Sequence, residues 1–328
     1  MIQKRATAMG RKNQHARVRV RQFFQILAIL ACLGVLAYAA CILFLFPKKS
    51  PVPVQSEIAS QSAVTSVTAV PEATAVESSR YPATAPADTS GFHAVLEGNT
   101  IQLDSSVSWE SSDTAVATVD QNGVVTGVHQ GKCEMQSGDF SVPVTVRHME
   151  QKDGCTYVDG VLIVNKSYSL PEDYNPGLDA TTEEAFNQLS ADAAQEGLNL
   201  YIGSDFRSYS YQVDVYESYC ETYGWQQADT FSARPGYSEH QTGLTIDCNT
   251  IDDAFGQTEE AVWLADHCAD YGFIIRFPDG KEDITGYQYE PWHIRYVGVD
   301  IAREIMSKGL CLEEYLGVDS VYAGAWEH

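Results

Sequence analysis

Residue types that bind divalent metals and move protons stand at two places in this chain. Residues 238–247, Ser-Glu-His-Gln-Thr-Gly-Leu-Thr-Ile-Asp, put an imidazole at His240 and a carboxylate at Asp247, with Gly243 as a bend between them. Residues 290–293, Glu-Pro-Trp-His, add a second imidazole at His293 and, three positions before it, a carboxylate at Glu290. Two imidazoles and one carboxylate leave one position of a tetrahedral zinc for water, which is the arrangement of a catalytic metal and not of a structural one. Zinc lowers the pKa of water towards about 7, but peptide hydrolysis also needs a base that takes the proton and returns it to the leaving amine. Glu290, held by Pro291, is the candidate.

These groups need elements to bring them together. In a strand over 244–248, Leu244, Ile246 and Cys248 share one face while Thr245 and Asp247 share the other, which turns Asp247 away from the apolar side. Residues 293–296 and 273–277 are also strand-like. A helix is predicted over 182–196, with Ala185, Phe186, Leu189 and Ala193 on one face and Gly197 as its stop. A strand over 198–202, a helix over 209–223, a helix over 259–271 with Ala261, Leu264, Ala265 and Cys268 facing inward, and a last helix over 299–307 complete the reading. Helices first and turn-separated strands after predict an α+β domain on an antiparallel sheet over 149–328, not a doubly wound one. His267, beside Cys268 but off the apolar face, reads as a solvated side chain.

Arg207-Ser208 with Gln212, the pattern Ser238-x-His240-x-x-Gly243-x-x-x-Asp247 and the run over 272–298 that contains Glu290-Pro-Trp-His293 resemble the VanY-type D-alanyl-D-alanine carboxypeptidases, across about residues 157–316. These are zinc peptidases that share a core with lysostaphin and the hedgehog domain. Thr245 departs from the usual Ala, and Asp205-Phe206 from the common Gly-Tyr. The resemblance implies zinc ligands His240, Asp247 and His293, Glu290 as general base and acid, and Arg207 on the substrate side. Arg207 would clamp the substrate's terminal carboxylate or stabilise the oxyanion, and Ser208, Gln212 and Ser238 would hydrogen-bond the peptide. The implied reaction is removal of the C-terminal D-Ala from peptidoglycan stem peptides. Its rivals are an L,D-carboxypeptidase acting on tetrapeptide stems and, from another class, a non-catalytic wall-binding surface protein.

The rest of the chain predicts where that chemistry takes place. Residues 1–50 hold nine Lys and Arg and no acidic group, so the remaining 278 residues carry 12 basic against 44 acidic side chains, a net of −32 that argues against a nucleic-acid partner. Residues 23–46 are uncharged and long enough to span a bilayer, and the seven basic residues before them predict a cytoplasmic tail over 1–22. Ala37-Tyr38-Ala39 also fits a cleaved signal and Cys41 a lipid anchor, yet apolar sequence continues to Phe46, which favours an uncleaved anchor with an extracellular catalytic domain. Residues 47–90, rich in Ser, Thr, Ala and Pro, read as a disordered stalk. Residues 91–148 read as a small all-β unit with an Asp120-Gln-Asn-Gly123 hairpin turn, and 109–128 with Gly131 resemble the bacterial Ig-like domain of the second group. Cys133, Cys155, Cys220, Cys248, Cys268 and Cys311 would permit up to three disulfides in an oxidising compartment.

Overall fold

The computed structural model describes residues 91–326. The predicted basic tail, spanning segment and stalk lie outside these residues, and among the described ones no helix is long and apolar enough to cross a membrane.

The first part is all β. Strands β1 (His93–Leu96), β2 (Thr100–Gln102), β3 (Glu110–Ser111), β4 (Ala117–Val119), β5 (Val124–Gly127), β6 (Gly131–Ser137) and β7 (Phe140–Arg147) form two sheets, ordered β1-β7-β6-β3 and β2-β5-β4. All pairs are antiparallel except β1 with β7. The expected hairpin is present: the Asp120 carboxylate accepts from the backbone N–H of Asn122 and Val124, and Gly123 takes φ +78° to close the turn. Inward alternation places Val125, Met135, Val144 and Val146 between the sheets.

A meander of β8 (Met149–Lys152), β9 (Cys155–Val158) and β10 (Val161–Ile163) leads into the α+β part. There α1 (Ala180–Gln195), α2 (Tyr209–Tyr223), α3 (Glu259–His267), α4 (Val299–Lys308) and α5 (Leu312–Leu316) surround an antiparallel sheet of β11 (Ile202–Ser204), β12 (Thr245–Cys248), β13 (Phe273–Ile275) and β14 (His293–Tyr296), ordered β11-β12-β14-β13. Side chains of α1 and α3, among them Phe186, Leu189 and Leu264, pack on Ile246, Cys248, Phe273, Ile275 and Ile294 from one face of that sheet. The starts of α1, α2 and α3 are closed locally, with Asp179 accepting from Thr181 and Thr182, Ser208 from Tyr211 and Thr258 from Ala261.

Three expectations differ from what is found. The strand expected over 198–202 begins only at Ile202, because the Asn249 side chain accepts from Tyr201 N and donates to Asn199 O where a ladder would otherwise run. The helix expected over 259–271 tightens at Cys268, and it is Trp263, not Ala265, that joins Ala261 and Leu264 inside. The six cysteines expected to allow disulfides are all free, and five of them are buried as small apolar side chains.

The β part is continuous with the rest. Phe92 and Leu96 share a buried cluster with Ile274, Ala302, Ile305, Leu312 and Leu316, and Phe92 stacks on Tyr315 with ring centroids 5.7 Å apart. Arg147, at the end of β7, donates to the Tyr315 carbonyl at 3.0 Å and to Asp159 at 3.0 Å, with its guanidinium 4.1 Å over the Tyr315 ring. The first β part is thus seated against α5.

Candidate active site

Asp247 and His293 meet because β12 and β14 are antiparallel neighbours in which these two residues are directly paired. The pairing puts both side chains on the face opposite the apolar cluster, since Ile246 and Ile294, also paired, point into it. His240 arrives from the 3₁₀ turn Glu239–Thr242, which Gly243 ends in the left-handed conformation at φ +73°. No other residue fits there: a Cβ on Gly243 would stand 2.0 Å from the Gly177 carbonyl oxygen.

The three side chains converge. His240 Nε2 lies 3.1 Å from Asp247 Oδ2, and His293 Nδ1 lies 3.1 Å from Asp247 Oδ1. One donor atom from each residue falls within 4.8 Å of the others, and all three residues are buried. Asp247 Oδ1 has no hydrogen-bond donor aligned on it despite its burial. Two imidazoles and a carboxylate with free electron pairs on one point are a donor set that suits zinc, so these residues fit the metal that the sequence implies.

The electrostatics agree. Burial pushes the Asp247 carboxyl up, but the imidazoles of His240 and His293 outweigh it and hold it well below the usual carboxylate range. For His293 burial opposes the charged form, and the oxygens of Asp247, Glu239 and Glu290 outweigh it and push the ring upward. A site this rich in negative charge attracts a cation of either kind, a proton or a metal.

Glu290 sits 3.3 Å from His293 Nδ1 through Oε2, on the same side of the ring as Asp247. Its backbone is fixed by Glu290 N donating to Phe277 O at 3.0 Å and by Glu290 O accepting from His293 N at 3.2 Å. Burial raises its carboxyl, with His293 as the main opposing influence. A raised carboxyl is a better proton acceptor at neutral pH than an exposed one.

Arg207 is delivered by the loop that also holds His240: the His240 ring nitrogen Nδ1 lies 2.6 Å from Asp205 O, and Arg207 N donates to His240 O at 3.1 Å. Its guanidinium donates to Gln212 Oε1 at 2.8 Å and Ser204 Oγ at 3.3 Å, and pairs with neither Asp205 nor Glu217. Arg207 and Ser238 line a cleft of about 370 Å³ with His240, Asp247, Glu290 and His293. Ser208 and Gln212 are not on its wall: Ser208 caps α2, and the fully buried Gln212 holds Arg207 while donating to Ala233 O at 2.6 Å.

A layer of charge beneath the site escaped the sequence reading. Glu239 Oε1 accepts from Arg276 Nε at 2.8 Å and from Arg295 Nη1 at 2.7 Å, and Arg276 forks onto Glu313 at 2.6 and 2.8 Å. Arg295 also reaches Leu162 O at 2.6 Å, and Asn165 donates to Glu313 at 3.0 Å. A signal was available: Arg276 and Arg295 are charges inside strand-like runs, and Arg295 falls two residues after His293 on the same face.

Comparison with known proteins gives a consistent setting for this geometry. The family model for D-alanyl-D-alanine carboxypeptidase, VanY, matches residues 175–299, and that for the bacterial Ig-like domain, group 2, matches 93–146. YodJ of Bacillus subtilis (strain 168) is 33% identical over 244 residues, spanning 65% of this chain and 86% of its own length. A D-alanyl-D-alanine carboxypeptidase of Enterococcus faecalis (strain ATCC 700802 / V583) is 33% identical over 179 residues, covering 48% of this chain and 66% of the relative. A solved structure of the LdcB LD-carboxypeptidase is similar at 41% identity and a TM-score of 0.50, covering 53% of this chain and 98% of that one.

Proposed function

The chain belongs to the VanY family of D-alanyl-D-alanine carboxypeptidases, a zinc metallopeptidase family, and from that premise we propose a zinc-dependent enzyme that releases the C-terminal D-alanine of peptidoglycan stem peptides, taking the D-Ala-D-Ala end. The observation that carries the reading is the direct β12–β14 pairing of Asp247 with His293, which sets Glu290 beside the donor atoms. His240, Asp247 and His293 would hold the ion. When bound, zinc supplies a Lewis acid that polarises the scissile carbonyl and lowers the pKa of water. Glu290 takes a proton from the attacking water through Oε2 and returns it to the departing amine of D-alanine. Arg207 keeps unused N–H donors on the cleft wall, suited to the peptide's terminal carboxylate or to the developing oxyanion. Ser238, on the same wall, is placed to bond the peptide backbone, while Gln212 acts by aiming Arg207.

A second reading, cleavage of tetrapeptide stems at an L,D bond, is favoured by the 41% identity to the LdcB LD-carboxypeptidase against 33% to the enterococcal relative. Both readings release D-alanine and differ in the residue before the cut bond. Residues 23–46 support a membrane anchor that would hold the site on the outer side, where stem peptides are exposed.

The test offers a pentapeptide ending in D-Ala-D-Ala and a tetrapeptide ending in a single D-Ala to the purified protein, with and without a chelator. Release of D-alanine that stops with chelator and resumes with added zinc is expected. Release indifferent to chelation would remove the metal from the reading, and preference for the tetrapeptide would establish the second one.

A further inference from the structure

We propose that Glu239 is a positioning residue for the metal centre: its Oε2 accepts a hydrogen bond from the Nε2–H of His293 and so keeps that ring with Nδ1 towards the ion. The inference rests on the zinc reading above and concerns a residue that reading does not use.

The two imidazoles present opposite nitrogens to the same carboxylate. In His240, Nδ1 lies 2.6 Å from the Asp205 carbonyl oxygen, which can only accept, so Nδ1 carries the proton and Nε2 is left for the metal. In His293 the nitrogen near Asp247 and Glu290 is Nδ1, at 3.1 and 3.3 Å. A nitrogen that binds a metal carries no proton, so the proton of a neutral His293 must sit on Nε2. That atom is buried and has no hydrogen-bond partner. The carboxylate oxygen in front of it is Glu239 Oε2, at 3.8 Å. A shift of about 1 Å brings that distance to hydrogen-bond length.

Glu239 is built to wait there. Its Oε1 is held from two directions by Arg276 and Arg295, at 2.8 and 2.7 Å, so the carboxylate cannot turn away. Its Oε2 has a single further contact, with Thr245 Oγ1 at 3.4 Å. Arg276 is in turn pinned by both oxygens of Glu313. A carboxylate behind a metal-binding histidine fixes the ring's tautomer and orientation, and losing it weakens metal affinity about 10- to 100-fold. A bland role, in which Glu239 is only the counter-ion of two arginines, predicts lost stability without a change in the histidine.

Two measurements on the full chain in detergent separate these roles. In zinc-loaded wild type with isotope-labelled histidine, long-range proton–nitrogen correlation should show His293 carrying its proton on Nε2 and His240 on Nδ1. Zinc affinity, read by competition with a chromogenic chelator, should fall about 10- to 100-fold in Glu239→Gln. The two guanidiniums would hold the new amide by its oxygen, turning the NH₂ towards His293 and disfavouring a proton on Nε2. Glu313→Gln loosens the same arginine from its far side and should lower Tm while leaving zinc affinity within about threefold. The proposal is overturned if loaded wild type shows His293 protonated on Nδ1, if folded Glu239→Gln binds zinc as wild type does, or if Glu313→Gln weakens zinc as much as Glu239→Gln. Should Glu239→Gln fail to fold, Glu239→Asp, which keeps a carboxylate beside the two arginines but withdraws its oxygen from His293 Nε2, is read in the same competition, and zinc affinity equal to wild type overturns the proposal. A wild type that takes up no zinc overturns the zinc reading instead.

Discussion

Two groups of buried charge share the polar face of the β11–β14 sheet, and they are finished differently. Around Arg276 and Arg295 nearly every donor finds an acceptor: Glu239, both oxygens of Glu313, and the carbonyls of Leu162 and Tyr296. Around Asp247, two residue pairs along the same ladder, the buried Oδ1 has no hydrogen-bond donor aligned on it although the imidazoles of His240 and His293 converge on its carboxylate. Burying a charge is tolerated when it is paired and hydrogen-bonded, and an unfinished set is costly unless something else completes it. The contrast teaches that the finished cluster is a foundation and the unfinished one a receptor. Chemistry needs the second, and the first keeps it in place.

The sharpest way to break the contrast is at Glu290, which belongs to the unfinished set. Glu290→Gln should lower the rate of D-alanine release about 100- to 10,000-fold with little change in Tm, read by product assay and thermal melting on the same preparation. The converse is expected from the finished set. Arg276→Met removes one partner from a buried pair network and leaves Glu313 uncompensated, which should destabilise the fold by about 3–5 kcal/mol in denaturant unfolding. If the two variants exchanged effects, the division of labour would be wrong.

A smaller effect is expected at Arg207, which is tied into the scaffold yet lines the cleft. Arg207→Ala should cost about 1.5–3 kcal/mol in kcat/KM, and stability should change little because Gln212 keeps its bond to Ala233. A loss confined to KM would assign it to the substrate's carboxylate, and an equal loss in kcat and kcat/KM would assign it to the oxyanion.

The smallest effect concerns a third buried charge. Lys166 donates to the carbonyls of Asp229 and Gly286 and lies 4.3 Å over the Tyr287 ring, and burial lowers its pKa from 10.5 to about 8. Between those values the unfolded chain binds more protons than the folded one, so this group's contribution to stability rises with pH. Wild type should therefore gain stability relative to Lys166→Met as pH is raised from about 8 towards 10, measured by urea unfolding. Buried tyrosines such as Tyr287 and Tyr322, whose pKa values are raised, oppose the trend above about pH 10, where unfolded tyrosine ionises, so the comparison is made below that pH.

Local signals in the sequence went far where the local pattern matches the final environment. The helix over 209–223 and the strand over 293–296 have the predicted bounds, and the alternation around Asp247 places it on the polar face. Where a distant side chain intervenes, the pattern misleads. Residues 198–202 alternate as a strand should, yet Asn249 takes over the backbone groups of Asn199 and Tyr201. Six cysteines suggest bridges, but they are distributed as packing in separate clusters, Cys133 between the first two sheets and Cys248 and Cys268 in the main core.

What the sequence by itself determined is the chemistry on offer: His240, Asp247, His293 and Glu290 are of the right types, and strand alternation and a glycine bend, both local properties of the chain, aim Asp247 and free the turn at His240. What only the tertiary structure decided is which charges support which. Glu239 meets Arg276 across 37 residues and Arg295 across 56, and the seat of the first β part against α5 joins Phe92 to Tyr315. Such contacts depend on the register of strands and the burial of whole faces, which no window of neighbouring residues contains.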